Sequence, residues 1–338
     1  SPPTASTRLS SPTAFRTSIP ADSVTDWVCP PAGGSENPLP AMSEEHRIGN
    51  FDIWVIPNFA QDVLGTDPAE LQRQMGTYPV RGKGDAIEWA RPQWVEGDNK
   101  ALHYRGHPLK RDKMWFQLGD PRKEGFVKYY YTGWQYKVLP ATSDVALAPE
   151  LAPVVERYNV WATALGKPAA NHFIVTHYVD GEHEIGMHFD KPKSIQPGSL
   201  ITVVKTGAHG RPFRLTLLDG TLLMERELPP GTAVVMTLEA NLATMHGVPA
   251  VRDAGPSGSV VLRTIVERVE WKWLEKRLRP DDQEVDVSNE QRGGGSTDEA
   301  DETEQPSAAA QGAGTASTMA HAVITTPREE LLNLTGLS

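Results

Sequence analysis

Glu184-Ile185-Gly186-Met187-His188-Phe189-Asp190 is the stretch whose reading decides the fold. It reads as a short strand closing on an H-x-D triplet. Side chains alternate along a strand, so His188 and Asp190 share one face. A distant histidine added to that pair makes a two-histidine, one-carboxylate set. Such a set holds Fe(II) on one side and leaves the opposite positions open for oxygen and an organic acid. His246, in Thr244-Met245-His246-Gly247-Val248-Pro249-Ala250, lies far enough along the chain for several strands to intervene. Arg263 follows in the apolar run Ser259-Val260-Val261-Leu262-Arg263-Thr264-Ile265-Val266. A cation inside such a strand is costly unless an anion pairs with it, and a dicarboxylate cosubstrate would supply one. Each piece also has an ordinary reading: a common triplet, a turn histidine, an ion-paired barrel arginine. Jointly, in this order, they point to Fe(II).

Outward from this stretch the chain is a succession of short strands. They are expected at His172–Tyr178, Glu184–Asp190, Leu200–Thr206, Arg211–Leu217, Thr221–Glu227, Ala233–Leu238, Ala243–Val248 and Ser259–Val269. Turn pairs such as Asp180-Gly181, Pro197-Gly198 and Asp219-Gly220 separate them. Upstream, Phe51–Pro57 reads as a strand. Pro68–Met75 reads as a helix capped by Asp67, with Pro68 at its first position. Pro149–Leu165 reads as an amphipathic helix ending at Gly166, and Trp271–Leu278 as a closing helix. Helices followed by about eight strands predict a closed or sandwich-like β core braced by helices. Residues 101–137 are aromatic and basic. They read either as a substrate-facing surface or as a packed sheet with a solvated basic rim.

The flanks differ from this core. Residues 1–45 are rich in Ser, Thr, Pro, Ala and Gly, and residues 281–338 hold an acidic, glycine-containing tract. Neither buries enough apolar surface to offset the entropy of ordering. The expected organisation is a disordered arm at 1–45, one domain at 46–280 and a disordered acidic tail at 281–338. The net charge of −10 over 338 residues sits in that tail, which carries twelve acids and two arginines. The core is mildly basic, which permits a polyanionic substrate. Ser1–Ala21, with Arg8 and Arg16 and no acid, reads as a plain arm or as an organelle transit peptide. A nuclear or cytoplasmic place follows from the first reading, an organellar one from the second. Cys29 is the only cysteine, which excludes an internal disulfide and a thiolate zinc cluster. No apolar run nears the roughly 20 residues that span a bilayer.

With these residues in view, the chain resembles the AlkB-like Fe(II)/2-oxoglutarate dioxygenases. Tyr178-Val-Asp-Gly-Glu-His-Glu-Ile-Gly-Met-His-Phe-Asp190 is similar to that family's tyrosine, acidic-glycine turn and H-x-D run. Gly198–Val204 with Phe213-Arg-Leu resembles its next strands. Leu228–Met236 followed by His246-Gly-Val-Pro resembles the approach to its distal histidine. The likeness covers roughly residues 105–270. It implies an α+β fold with a double-stranded β-helix (jelly-roll) core braced by N-terminal helices. It implies that His188, Asp190 and His246 ligate Fe(II) and serve catalysis. Tyr178 and Arg263 would then contact the cosubstrate 2-oxoglutarate, Arg263 through its distal carboxylate, with O2 as oxidant. An arginine–carboxylate fork is a strong charge-assisted pair, which suits that role. The bland reading of Tyr178 is a core aromatic.

Two departures stand out. The family places an asparagine two residues before the tyrosine, where this chain has Thr176. It also carries a second arginine six residues after the first, where this chain has Val269. Arg268, next to it, has the opposite strand parity unless a bulge re-aims it. Wider relatives, including the TET/JBP-type oxygenases, manage with one basic residue.

The resemblance implies oxidative chemistry on a C–H bond, demethylating where the carbon sits on nitrogen. Three functions follow. The first is demethylation or hydroxylation of a base in methylated DNA or RNA. The base would be held by Trp115, Phe116, Tyr129 and Tyr131, and the phosphates by Lys110, Arg111 and Lys113. The second is an oxygenase on protein side chains or a small molecule. The third is a non-catalytic binding module, against which the intact triad argues.

Overall fold

Seven consecutive residues, Leu200–Thr206, are all buried, and this strand lies inside the largest sheet, paired on both sides. A strand covered on both faces has no solvent side to alternate with, so its sequence is largely apolar without a period of two, and its Thr202, Lys205 and Thr206 are buried as well. The computed structural model describes residues 42–81, 91–98, 108–130, 138–140 and 143–272. Residues 1–41 of the expected arm, the expected tail, and all but the first residues of the expected closing helix lie outside them. So do Tyr131, Trp134 and Tyr136 of the aromatic segment.

The architecture is a sheet-rich α+β one. Its strands are β1 (Ile53–Ile56), β2 (Val80–Arg81), β3 (Trp94–Val95), β4 (Asp112–Gln117), β5 (Phe126–Tyr130), β6 (Val138–Pro140), β7 (Ser143–Asp144) and β8 (His172–Tyr178). They continue as β9 (Ile185–His188), β10 (Leu200–Thr206), β11 (Arg211–Leu217), β12 (Leu222–Leu228), β13 (Ala233–Thr237), β14 (Thr244–Val248), β15 (Ser257–Arg263) and β16 (Arg268–Val269). The helices are α1 (Phe59–Asp62), α2 (Pro68–Met75), α3 (Pro121–Glu124), α4 (Ala152–Ala164) and α5 (Leu238–Ala243). The large sheet runs β1-β13-β10-β15-β8-β4-β3-β2, with β7 beside β4. A smaller sheet runs β12-β11-β14-β9, and a third joins β16, β5 and β6.

Strand parity divides the large sheet's side chains between two cores. Phe173, Val175, Val204, Val235 and Leu262 join Leu71 and Met75 of α2 and Val154, Tyr158 and Trp161 of α4. The opposite parity, with Ile174, Tyr178, Ile201, Val203 and Val234, meets Phe213, Leu215 and Val248 of the smaller sheet. The site lies on this second, inter-sheet side.

Local signals explain the helix ends. Asp67 accepts a hydrogen bond from the Glu70 amide at 2.7 Å, which caps α2 ahead of Pro68. Beyond α4 the chain turns away at Gly166, whose φ of +70° suits a residue without a side chain.

Strand β15 is a correction to the expected strand Ser259–Val269. It ends at Arg263. The Thr264 hydroxyl donates to the Ala169 carbonyl, and Ile265 bridges Ile195. The chain resumes as β16 in a different sheet, paired with β5. The expected strand Ala233–Leu238 also ends early, because Thr237 accepts from the Ala240 amide and caps α5.

Candidate metal centre

Strand pairing brings the two histidines together. His246 of β14 and His188 of β9 are register partners, and directly opposed residues hold their side chains side by side. Their ring centroids are 4.5 Å apart. Gly247 permits the approach of the two strands. A Cβ there would lie 2.9 Å from the Ile185 carbonyl oxygen and 3.0 Å from Met187 Sδ. Phe213 stacks on the His246 ring with centroids 5.9 Å apart.

Asp190 reaches the pair by a different route from the expected one. Strand β9 ends at His188, so parity along a continuous strand does not place it. Its backbone is held instead by the buried Asn241 of α5. The Asp190 amide donates to Asn241 Oδ1, and Asn241 Nδ2 donates to the Asp190 carbonyl, both at 2.8 Å. The ligand atoms of His188, Asp190 and His246 all lie within 4.8 Å of one another.

The carboxylate is fixed on its other side. Arg263 forks onto it, Nε to Oδ2 at 3.0 Å and Nη2 to Oδ1. The Tyr129 hydroxyl donates to Oδ1 at 3.0 Å. Arg263 also lies over the Tyr129 ring at 4.7 Å, and Tyr129 stacks on His172 at 5.3 Å. Burial pushes the Asp190 carboxyl up, but Arg263, then His246 and His188, outweigh it and hold it at about 2. Burial, then the neighbouring His246, depresses His188 to about 3. Burial likewise lowers His246. Both imidazoles are therefore neutral at physiological pH and have lone pairs to offer.

These residues fit a divalent metal ion. The set is two neutral nitrogens and one ionised oxygen, the donors a first-row ion takes. His188 Nδ1 sits 2.9 Å from the Gly186 carbonyl. A carbonyl only accepts, so Nδ1 carries the proton and Nε2 is the coordinating atom, an outer-shell arrangement common to metal-binding histidines. His246 Nδ1 is buried without a hydrogen-bond partner.

The other expected site residues are dispersed. Tyr178 is buried on β8, its ring beside Lys205 Nζ at 5.3 Å and the Arg211 guanidinium at 5.5 Å. Arg263 grips Asp190 through Nε and Nη2, while its Nη1 is buried without a hydrogen-bond partner. Arg268 points elsewhere, donating to the Gly125 and Leu118 carbonyls. Trp115 is 1 % exposed within the inter-sheet core, and Phe116 is fully buried on the helix side. As side chains of a strand covered on both faces, neither presents a stacking surface for a base, which corrects their expected role. Arg111 is buried and donates to the Glu184 carbonyl at 3.0 Å, and Lys113 is buried too. Lys110 is exposed and pairs with Glu184 at 3.1 Å.

Sequence reading missed Asn241, Lys205 and Arg211, and gave Tyr129 another task. Lys205 had a signal, being a cation in the apolar run Leu200–Thr206, the same argument that singled out Arg263. Asn241 had none, because its bonds depend on a contact across the fold.

No protein-family model matches the chain, and no curated protein matches its sequence. Among solved structures, that of OsALKBH1 is similar over 64 % of this chain and 100 % of that chain, at 11 % identity and a TM-score of 0.36.

Proposed function

We propose that the chain is an AlkB-like Fe(II)- and 2-oxoglutarate-dependent dioxygenase on a double-stranded β-helix. The observation that carries this reading is the meeting of His188, Asp190 and His246, with ligand atoms within 4.8 Å. The topology supports it. From β8 to β11 the chain alternates strand by strand between the two facing sheets, and after the β11–β12 hairpin it alternates again from β13 to β15. When bound, Fe(II) with 2-oxoglutarate and O2 would supply an oxidant able to attack a C–H bond, the 2-oxoglutarate being converted to succinate and carbon dioxide.

The chain's own contribution is arrangement. His188 and His246 stay neutral, so no proton need leave before they coordinate. Asp190 is held by backbone and side chain alike, so the set is nearly formed in advance. Arg263 and Tyr129 use lone pairs that the carboxylate would otherwise offer to water. Asp190 and His246 are buried, which keeps bulk water from the reacting centre.

For the substrate we take a methylated nucleic-acid base, supported by the mildly basic core. Hydroxylation of an N-methyl carbon releases formaldehyde; a hydroxylated C-methyl persists. One observation favours the second reading, an oxygenase on protein side chains or a small molecule. Trp115, Phe116, Arg111 and Lys113 are all inside the fold. The test is succinate formation with a mass-spectrometric product screen over methylated oligonucleotides, 5-methylcytosine, thymine, peptides and small metabolites. Oxygen found only in peptides or metabolites selects the second reading. His188→Ala and Asp190→Ala should be inactive and folded. Full turnover in either, stripped of metal, overturns the oxygenase reading.

A further inference from the structure

Two cations approach one aromatic ring from facing sheets. Lys205 of β10 holds its Nζ 5.3 Å from the centre of the Tyr178 ring, and the guanidinium of Arg211, on β11, lies 5.5 Å from it. Strand register completes the group. Lys205 is opposite Ser259 of β15, and Tyr178 is opposite Ser257, two residues away on the same face of that strand. Lys205, Arg211, Tyr178 and Ser257 are all buried.

The group is rich in donors and short of acceptors. Among the described residues, Lys205 Nζ, Arg211 Nε and Ser257 Oγ are buried with no hydrogen-bond partner. The Nη atoms of Arg211 donate to the carbonyls of Asp180, His183 and Pro249, which leave its positive charge in place. The charged group bearing on Lys205 is this second cation, while Asp180 and Glu184 bear on Arg211 instead. A buried ammonium without an anion is among the costliest groups a fold can carry. Burial, then Arg211, accordingly brings Lys205 down to about 7, so much of it is free amine near neutral pH. A desolvated lysine beside another cation is an activated nucleophile.

An anion made in place would meet the shortage without one being carried in. Carbon dioxide is small and uncharged, so it reaches a buried amine without the desolvation cost that a carboxylate or phosphate incurs. We propose that Lys205 is a carbon dioxide acceptor, its Nζ forming a carbamate that pairs with Arg211 and Ser257. The nitrogen lone pair forms the N–C bond, one C=O π pair moves onto oxygen, and an amine proton leaves to water, with no change of oxidation state. The carbamate oxygens accept from Arg211 Nε and Ser257 Oγ, as charge-assisted hydrogen bonds. Nothing at the metal centre takes part, so the step stands apart from the oxygenase reading.

The test equilibrates the full chain with isotopically labelled bicarbonate at mildly alkaline pH and reads carbamate by carbon NMR. Alkylation then traps the carbamate for peptide mass spectrometry. The wild type should give a signal that saturates with bicarbonate, and the trapped label should sit on the peptide carrying Lys205. Lys205→Arg, which has no free amine at that pH, should lose this signal and keep the one from the Ser1 α-amine. Ser257→Ala should weaken uptake about tenfold, the loss expected for one hydrogen bond to a charged group, while melting as the wild type does. Label found only on Ser1 or on other lysines of the wild type overturns the proposal, and this arm needs no variant to fold. A signal undiminished in Lys205→Arg overturns it too. Uptake unchanged in Ser257→Ala overturns the pairing with that hydroxyl.

Discussion

At the scale of the residue, Asp190 has more partners than a ligand needs. Three donors reach its two oxygens, and a two-point amide clamp holds its backbone. Loss of such supporting contacts typically weakens metal binding 10–100-fold. Tyr129→Phe should therefore lower Mn(II) affinity about tenfold, read by calorimetry, with little change in melting temperature. An unchanged affinity would mean that Arg263 alone orients the carboxylate. Arg263→Met should be worse, because it leaves a buried carboxylate uncompensated, a loss of about 3–5 kcal/mol in denaturant unfolding. Lys205 gives a pH signature. Burial, then Arg211, depresses it to about 7, against 10.5 for an ordinary lysine. Between those values the unfolded chain binds a proton that the folded chain does not, so this group makes stability rise with pH. Replacing it by methionine removes that term. Lys205→Met should be more stable than wild type at pH 7, by a few kcal/mol at about 1.4 kcal/mol per pH unit of depression. The gain should shrink towards pH 10. A constant gain in urea melts at both pH values would place the charge elsewhere.

At the scale of the element, the pairing of β9 with β14 makes the site, and Gly247 sets its spacing. Gly247→Val drives a side chain into the Ile185 carbonyl and Met187. It should cut metal affinity more than tenfold while the distant α4 keeps its hydrogen-exchange protection. Unaltered affinity would show that β9 has slack. Much of this level was legible beforehand. Strands β8, β10 and β11 have the bounds that the alternation and turn residues predict, and α2 begins at its Asp67 cap. What was not legible has local causes. Helix α5 has six residues, too few for a 3.6-residue period to show, and only Thr237 announces it. The end of β15 depends on bonds from Thr264 and Ile265 to segments far away in sequence. Asp190 reaches the two histidines by another geometry than the expected one, since Asn241 and not strand parity aims it.

At the scale of the whole molecule, the described residues of both cores come from 42–265, and the stretch 281–338 is polar and acidic. Deleting residues 285–338 should leave the melting temperature nearly unchanged. If an oligonucleotide is the partner, removing that acidic stretch should tighten binding at low salt, with the gain fading at high salt. A large drop in melting temperature would instead show that Leu331, Leu332 and Leu334 dock on the core. Charge inside the fold was the least legible property, because a count along the chain does not reveal which side chains turn inward. Among the described residues, and histidines aside, the buried charged side chains are Arg111, Lys113, Lys205, Arg211 and Arg263 against one acid, Asp190. Of these, Lys205 Nζ has no hydrogen-bond partner, so an anionic ligand that reached it would offset the cost of its burial. Ligand present at a hundred times its dissociation constant stabilises the folded state by about 2.7 kcal/mol, enough to alter how long a chain escapes proteolysis. Supply of the counter-ion would then govern how much of the protein persists as well as how fast it works, which ties abundance to the nutritional state of the cell.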